Sequence, residues 1–189
     1  MKILKFGGSS LATSDCIRDV ARIVLEEARR GPVIVVLSAF QGVTNQLLDC
    51  ARLAEKNDRR YDAAWKKIAG RHRSVVSSLV GRRRGIRIRS QVDTLLGDLH
   101  DALHGVQLLG HSPPRALDLI VSFGERLCAL IVAAHLARVH PAWFVDARQL
   151  VVTDNQFTNA NVIFSKTNRA VRRYLQTCSN FAAAGRYLS

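Results

Sequence analysis

The start of the chain shows three successive patterns of apolar and polar positions. Residues 2–6 alternate polar and apolar side chains, which is typical of a strand with one face in the core. Residues 14–28 carry apolar side chains every three or four positions, as an amphipathic helix does, and Thr13 or Ser14 can cap it. Residues 33–37 form an unbroken, β-branched run, which predicts a strand buried on both faces. This order predicts a βαβ unit with parallel strands.

Helical periodicity dominates the rest of the chain. An apolar helical segment at 115–140 is interrupted by the run SFGER at 122–126. The same periodicity predicts a helix that starts at Leu47 and three further helices at 61–79, 92–106 and 167–175. A loop is predicted at 81–85, and short strands at 143–145 and 150–152. Strands and helices in this order predict an α/β protein.

The first strand runs into Gly7, Gly8, Ser9 and Ser10, and Lys5 stands just before them. Glycines let backbone N–H groups approach an anion closely, and a helix that follows adds its dipole to the same place. This is the composition of a phosphate-binding turn, although it matches neither of the common nucleotide-binding motifs. A pair of glycines after a strand is more often a simple turn, so both interpretations stay open at this point.

A second polar loop, SAFQGVTN at 38–45, follows the second strand. Parallel strands end at the same edge of a sheet, and ligands of α/β proteins bind outside those carboxyl ends. We therefore expect this loop, with the hydroxyls of Ser38 and Thr44, to lie beside the glycine turn. A plain turn at Gly42 and a helix cap at Thr44 or Asn45 would also account for part of the loop.

Composition narrows the class of protein. The chain has 189 residues, 48% of them apolar, and a formal net charge of +13. Such a charge favours anionic partners, namely a nucleotide, an acidic metabolite, nucleic acid or an acidic partner segment. The four cysteines form no C-x-x-C pair, which predicts reduced thiols and a cytoplasmic location. The apolar run at 127–136 is too short to span a membrane, so no membrane partner is expected.

Three other features have both functional and structural interpretations. The arginine-rich run from Arg82 to Arg89 lacks interleaved aromatic residues, so a solvated loop is favoured over a nucleic-acid site. His100 and His104 are one helical turn apart but lack the H-E-x-x-H pattern, so no metal site is predicted. Glu125 lies in an apolar run, where a carboxylate needs either a basic partner such as Arg126 or the cation of a ligand.

Five motifs in order give the chain a recognisable pattern. They are KFGGSS at 5–10, SAFQGVTN at 38–45, SFGERLCA at 122–129, FVDARQLVVTD at 144–154 and F-x-N-A at 157–160. With these motifs the chain resembles the aspartate kinases of the amino-acid kinase family. The similarity is greatest to the aspartokinase part of bifunctional aspartokinase–homoserine dehydrogenases.

This resemblance implies a fold and a reaction. The fold would be the N-terminal part of a three-layer αβα sandwich with a mostly parallel sheet. The reaction would be ATP-dependent phosphorylation of the L-aspartate side-chain carboxylate to 4-phospho-L-aspartate, the first step towards lysine, threonine and methionine. Mg²⁺ would accompany ATP, without a separate protein metal site. Motif position also implies the roles of individual residues. Lys5 would be catalytic and would contact phosphate together with Gly7, Gly8 and Ser9. The substrate would be contacted by Ser38, Thr44 and Glu125.

The chain also departs from the family pattern. It lacks the later glycine-rich segment of the type G-R-G-G-S-D, it contains no Asp or Glu after Asp154, and Thr158 stands where glycine is usual. We therefore expect residues 1–176 to be the substrate-side part of a kinase domain and 177–189 to be a divergent tail. Such a fragment would have little activity alone, would leave a sheet edge uncovered, and would pair with further copies or with a C-terminal half. A non-catalytic aspartate-binding or complementing fragment is the alternative, and no nucleic-acid partner is expected.

Overall fold

The computed structural model describes residues 1–81 and 85–183. Two strands and six α-helices make up most of this part of the chain. They are β1 (Lys2–Phe6), α1 (Ser14–Ala28), β2 (Val33–Leu37), α2 (Val43–Glu55), α3 (Arg60–Val80), α4 (Ile86–Leu109), α5 (Pro114–Leu136) and α6 (Phe164–Ala183). Short 3₁₀ turns occupy Gly8–Leu11 and Ala147–Gln149.

The predicted βαβ unit is present. Strands β1 and β2 are parallel, with Lys2 opposite Val33 and Phe6 opposite Leu37. Helix α1 begins after Thr13, whose side chain accepts a hydrogen bond from the backbone N–H of Cys16. This cap satisfies one of the N–H groups that the first turn of a helix leaves free. Both strands therefore end beside the start of α1.

Helix α5 is the central helix of the core. Its side chains Ile120, Phe123, Leu127 and Ile131 are buried against α2 and α4. By length and composition α5 could cross a membrane, but half of its most apolar stretch is buried in the protein, which explains its apolar sequence. The predicted helical segment at 115–140 is present as α5, and the run at 122–126 interrupts its apolar pattern without breaking the helix.

The sheet has one face in the core and one face exposed. Leu4, Phe6, Val35 and Leu37 pack against the core, whereas Ile3 on the other face is 64% exposed and Val36 is 49% exposed. The unbroken apolar run of β2 predicted burial on both faces. In the part of the chain that the structure describes, this second face stays open.

The short strands predicted after α5 are also absent from the described residues. The N–H of Val152 donates to Oγ1 of Thr167 at 2.9 Å, and the N–H of Ile163 donates to the carbonyl of Val152 at 2.8 Å. The segment therefore folds back on itself and onto α6, and among the described residues it has no neighbouring strand to pair with. An isolated bridge joins Thr153 to Val162.

The second half of the arginine-rich run, from Ile86 onwards, is helical. Positions 82–84 of the predicted loop lie outside the described residues. Arg87 and Arg89 belong to the first turn of α4, and Arg89 donates from its guanidinium to the carbonyl of Gly81 at 3.3 Å. These two arginines therefore lie on a helix.

His72 on α3 is a buried, neutral imidazole. The side chain is fully buried, stacks on Phe40 with ring centroids 5.1 Å apart, and has its Nδ1 2.8 Å from the carbonyl of Ile68. Because that carbonyl can only accept, Nδ1 carries the proton and donates it. Burial lowers the pKa of His72 from 6.5 to about 4, because a charged ring would lose its hydration.

This burial predicts a loss of stability in mild acid. The unfolded chain takes up a proton at His72 below about pH 6.5, whereas the folded chain does so only near pH 4. The free energy of unfolding should therefore fall by up to about 3 kcal/mol between these pH values. Urea unfolding at several pH values should be compared for the wild type, His72→Phe and the exposed-site control His104→Gln. The loss of stability between pH 6.5 and pH 4 should be smaller in His72→Phe and should be retained in His104→Gln. An identical pH profile for all three proteins would contradict the prediction.

Candidate active site

Three of the sequence motifs meet at Ala39, which is 2% exposed. A Cβ atom on Gly8 of the first loop would lie 3.3 Å from the carbonyl oxygen of Ala39. A Cβ atom on Gly124 of α5 would lie 2.8 Å from the Cβ of Ala39. Both glycines therefore permit a backbone approach that a side chain would obstruct. The first loop, the second loop and α5 are held together at this point.

The first loop exposes groups that suit an anion. The N–H of Ser10 donates to the carbonyl of Gly7 at 3.1 Å, while the N–H groups of Gly8 and Ser9 donate to no described residue. The ammonium of Lys5 lies 3.6 Å from the position that a Cβ on Gly7 would take, and no carboxylate of the described residues pairs with it. Two free N–H groups and a cation therefore lie at one turn, as a bound phosphate would require.

The second loop lies beside the first, as the parallel strands predicted. The N–H of Ser38 donates to the carbonyl of Phe6 at 3.1 Å. Gly42 has φ +80°, which allows a sharp turn into α2, so Thr44 lies in the first turn of the helix and does not cap it. The hydroxyls of Ser38 and Thr44 are half-buried, and neither makes a hydrogen bond to a described residue. Both hydroxyls are therefore available to a ligand.

Glu125 follows Gly124 on α5 and is half-buried. Its neighbour Arg126 does not pair with it. The Nε of Arg126 lies 3.1 Å from Oδ2 of Asp146, and Arg148 contacts the same carboxylate oxygen at 2.7 Å. Burial raises the pKa of Asp146, but the hydrogen bonds and charge of Arg148 outweigh this and hold it below its usual value. Glu125 has no ion pair with any residue in the described ranges, so its carboxylate is free to bind a cation.

Arg71 on α3 is a site-supporting residue that the sequence did not reveal. Its guanidinium donates to the carbonyl of Gln41 in the second loop at 2.7 Å and to the carbonyl of Ala12 beyond the first loop at 3.1 Å. It also lies over the ring of Phe40, 5.9 Å from the centroid. One side chain therefore connects both loops. No local sequence signal marks it, because it lies in a polar helical stretch rich in other basic residues.

The two histidines on α4 differ in their surroundings, and only His100 makes contacts with other side chains of the described residues. The Nε2 of His100 lies 3.2 Å from Oδ1 of Asp62, and its ring packs against Trp65 with centroids 4.7 Å apart. His104 is exposed. Within residues 1–81 and 85–183, no group of three His, Cys, Asp or Glu side chains is arranged to hold a metal ion.

The sequence model of the amino acid kinase family matches residues 1–182. The chain belongs to the amino acid kinase family. An aspartokinase of Chlamydia trachomatis is 32% identical over 160 residues, which are 84% of this chain and 33% of that protein. The chloroplastic bifunctional aspartokinase/homoserine dehydrogenase 1 of Zea mays is 24% identical over 176 residues, which are 92% of this chain and 19% of that protein.

Solved structures agree with this family assignment. The crystal structure of E. coli aspartokinase III in complex with aspartate and ADP has a TM-score of 0.80 and 27% identity to this chain. The match covers 95% of this chain and 38% of that one. The predicted resemblance to aspartokinases and the predicted α/β fold of an amino-acid kinase are therefore confirmed. The chain spans well under half the length of these relatives, and the roles of individual site residues stay predictions.

The contact at Ala39 makes Gly124 a sensitive position. In Gly124→Ala the new Cβ would lie 2.8 Å from the Cβ of Ala39, and overpacking of this kind costs about 1–3 kcal/mol. Gly97→Ala on α4 is the matched control, because nothing lies within 4 Å of its added Cβ and alanine favours a helix by up to about 1 kcal/mol. Urea unfolding should show a loss of stability for the first variant and a small gain for the second. Equal effects would contradict the close contact.

Proposed function

We propose that this chain is the substrate-side part of an aspartate kinase. The reaction is transfer of the terminal phosphoryl group of ATP to the side-chain carboxylate of L-aspartate, which gives 4-phospho-L-aspartate and ADP. Membership of the amino acid kinase family and similarity to aspartokinases support this proposal. The similar structure of E. coli aspartokinase III, a complex with aspartate and ADP, supports it too. The observation that carries it is the grouping of free polar groups around the contact at Ala39.

The chemistry requires little more than positioning and charge compensation. The carboxylate of aspartate is already a nucleophile, so no general base has to remove a proton. The protein must instead hold two anions close together and reduce their repulsion. Lys5 and the free N–H groups of Gly8 and Ser9 suit the phosphate side of this task. ATP supplies the transferred group, and Mg²⁺ bound with it neutralises phosphate charge.

The substrate side of the site uses different groups. Glu125 would accept the ammonium group of aspartate, because its carboxylate is half-buried and makes no ion pair with a described residue. Ser38 and Thr44 would donate hydrogen bonds to substrate oxygens. A negative charge near the ammonium and cationic or N–H groups near the phosphate would orient aspartate with its side chain towards ATP.

The second candidate is a non-catalytic binding fragment. Residues 155–189 depart from the family pattern, with Thr158 where glycine is usual and with no Asp or Glu, and this departure favours it. On either proposal we expect a cytoplasmic protein that pairs with further copies or with a separate C-terminal half. The thiols of Cys16, Cys50, Cys128 and Cys178 are free, in keeping with a reducing compartment.

The first test is activity. Purified chain, ATP, Mg²⁺ and L-aspartate are incubated with hydroxylamine, which traps the acyl phosphate as a hydroxamate. We expect little product, and we expect what forms to fall by about 100-fold or more in Lys5→Met, because a charge that stabilises the transition state is lost. Lys67→Met, at an exposed lysine on α3, is the control and should change nothing. Abundant product would contradict the expected incompleteness, and product that survives Lys5→Met would contradict the role of Lys5.

The second test is substrate recognition without turnover. Calorimetry compares L-aspartate with succinate, which has the same two carboxylates but no ammonium group. We expect Glu125→Gln to weaken aspartate binding by about 10-fold to 100-fold and to leave succinate binding unchanged, because only aspartate carries the cation. Glu26→Gln on the surface of α1 is the matched control. Failure of the folded chain to bind aspartate, or equal loss for both ligands, would contradict the proposed role of Glu125.

A further inference from the structure

Helix α6 carries a row of cations along one side, which we call the basic stripe. It consists of Lys166, Arg169, Arg172 and Arg173, all of which are exposed. At 100° per residue these positions cover about one third of the helix circumference. The uncharged residues on the same side are Ser165, Asn168 and Gln176, which border a shallow hollow together with the three arginines. Between residues 165 and 176 this side of α6 is therefore entirely polar.

The opposite side of α6 attaches the helix to the rest of the protein. The hydroxyl of Thr167 accepts a hydrogen bond from the N–H of Val152 at 2.9 Å and donates one to its carbonyl at 3.2 Å. Ala170, Val171 and Tyr174 on this side are half-buried. The attachment turns the basic stripe outwards, into solvent.

The basic stripe differs from many cations of the other helices, which have an acidic partner on the same helix. In α1 Arg22 pairs with Asp19, in α2 Arg52 pairs with Asp49, and in α3 Lys66 pairs with Asp62. These pairs join residues three or four positions apart, the usual arrangement on a solvated helix. The side chains of the basic stripe form no ion pair with any residue that the structure describes. The sequence offers no local partner either, because it has no Asp or Glu after Asp154.

Like charges three and four positions apart repel one another on a helix. Lys166 and Arg169, Arg169 and Arg172, and Arg169 and Arg173 have these spacings. A polyanion laid along the helix would replace this repulsion by attraction. Charge complementarity therefore identifies a partner with several closely spaced negative charges.

The composition of this surface distinguishes among polyanions. Helices that lie on an anionic membrane usually carry apolar side chains beside their cations, whereas the stripe has serine, asparagine and glutamine there. Protein interfaces usually have an apolar core, which is also missing from this side. Protein surfaces that bind DNA are more polar and much more positively charged than those that bind another protein. Arginine, asparagine, glutamine and serine all donate hydrogen bonds to phosphate oxygens of DNA.

We propose that the basic stripe of α6 binds the phosphate backbone of duplex DNA without sequence preference. A helix with its side chains is about 10–12 Å across, which suits the major groove at about 12 Å. This inference goes beyond the proposed kinase function and does not depend on it. It also opposes the expectation from sequence that no nucleic acid would bind, which considered only the run at Arg82–Arg89.

The test is the salt dependence of binding to a fluorescently labelled duplex DNA of mixed sequence. Four phosphate contacts predict that log K falls with log salt with a slope of about −3 to −4. The triple variant Arg169→Gln/Arg172→Gln/Arg173→Gln tests the basic stripe. The magnitude of its salt slope should be smaller by about 3, and its affinity for DNA at low salt should fall at least 10-fold. The matched control is Arg29→Gln/Lys67→Gln/Arg87→Gln, which removes the same charge from exposed positions elsewhere.

The control separates the basic stripe from the general charge of the protein. If net charge alone attracts DNA, both triple variants will lose the same affinity, and the proposal is wrong. Circular dichroism should show the same helix content in both variants, and a stripe variant that keeps wild-type DNA binding would also refute the proposal. The last measurement is binding of the wild type and the stripe variant to vesicles of anionic phospholipid. Binding to vesicles through the stripe, with no binding to DNA, would replace the proposed partner with a membrane surface.

Discussion

The close contact at Ala39 is the constraint on which the arrangement of the site depends. Gly8 approaches its backbone from one side, and Gly124 approaches its side chain from the other. The three residues come from distant parts of the sequence, so their contact fixes two loops and α5 relative to one another. Glycine is needed at both flanking positions because a side chain would have no space there. Its conformational freedom is not the reason, because neither Gly8 nor Gly124 has a positive φ angle. Arg71 reinforces the same junction from α3.

Hydrogen bonds and ion pairs are distributed unevenly over the described residues. Charged side chains on the surface helices pair with one another, as Arg52 and Asp49 do. Around the Ala39 contact the opposite holds, because the side chains of Lys5, Ser38, Thr44 and Glu125 pair with no described residue. Of these, Ser38, Thr44 and Glu125 are half-buried, and half-buried polar groups without partners reduce stability, since they lose some hydration and gain no compensating bond. A ligand that supplied the missing partners would restore that stability, which is the usual energetic pattern of a binding site.

Sequence patterns predicted local structure well and tertiary partners less well. The period of the apolar residues predicted β1, α1 and β2, and the parallel-sheet rule placed the two polar loops side by side. The strands predicted at 143–145 and 150–152 failed because a strand exists only with a neighbour, and the backbone of Val152 bonds to Thr167 instead. Arg71 could not be predicted, since its partners are two backbone carbonyls far away in sequence, which leave no mark on side-chain patterns.

The adjacent charges of Glu125 and Arg126 show how helix geometry decides between alternatives that sequence leaves open. Successive residues of a helix point about 100° apart, so neighbouring opposite charges do not face each other. Arg126 points towards Asp146 and lies over the ring of Phe123, 4.6 Å from its centroid. Its charge is compensated there, in a half-buried place where an unpaired guanidinium would be strongly destabilising. Glu125 is left on a different side of α5, beside Gly124, where the helix approaches the second loop. A carboxylate at that position therefore provides negative charge for a ligand, and the neighbouring arginine does not neutralise it.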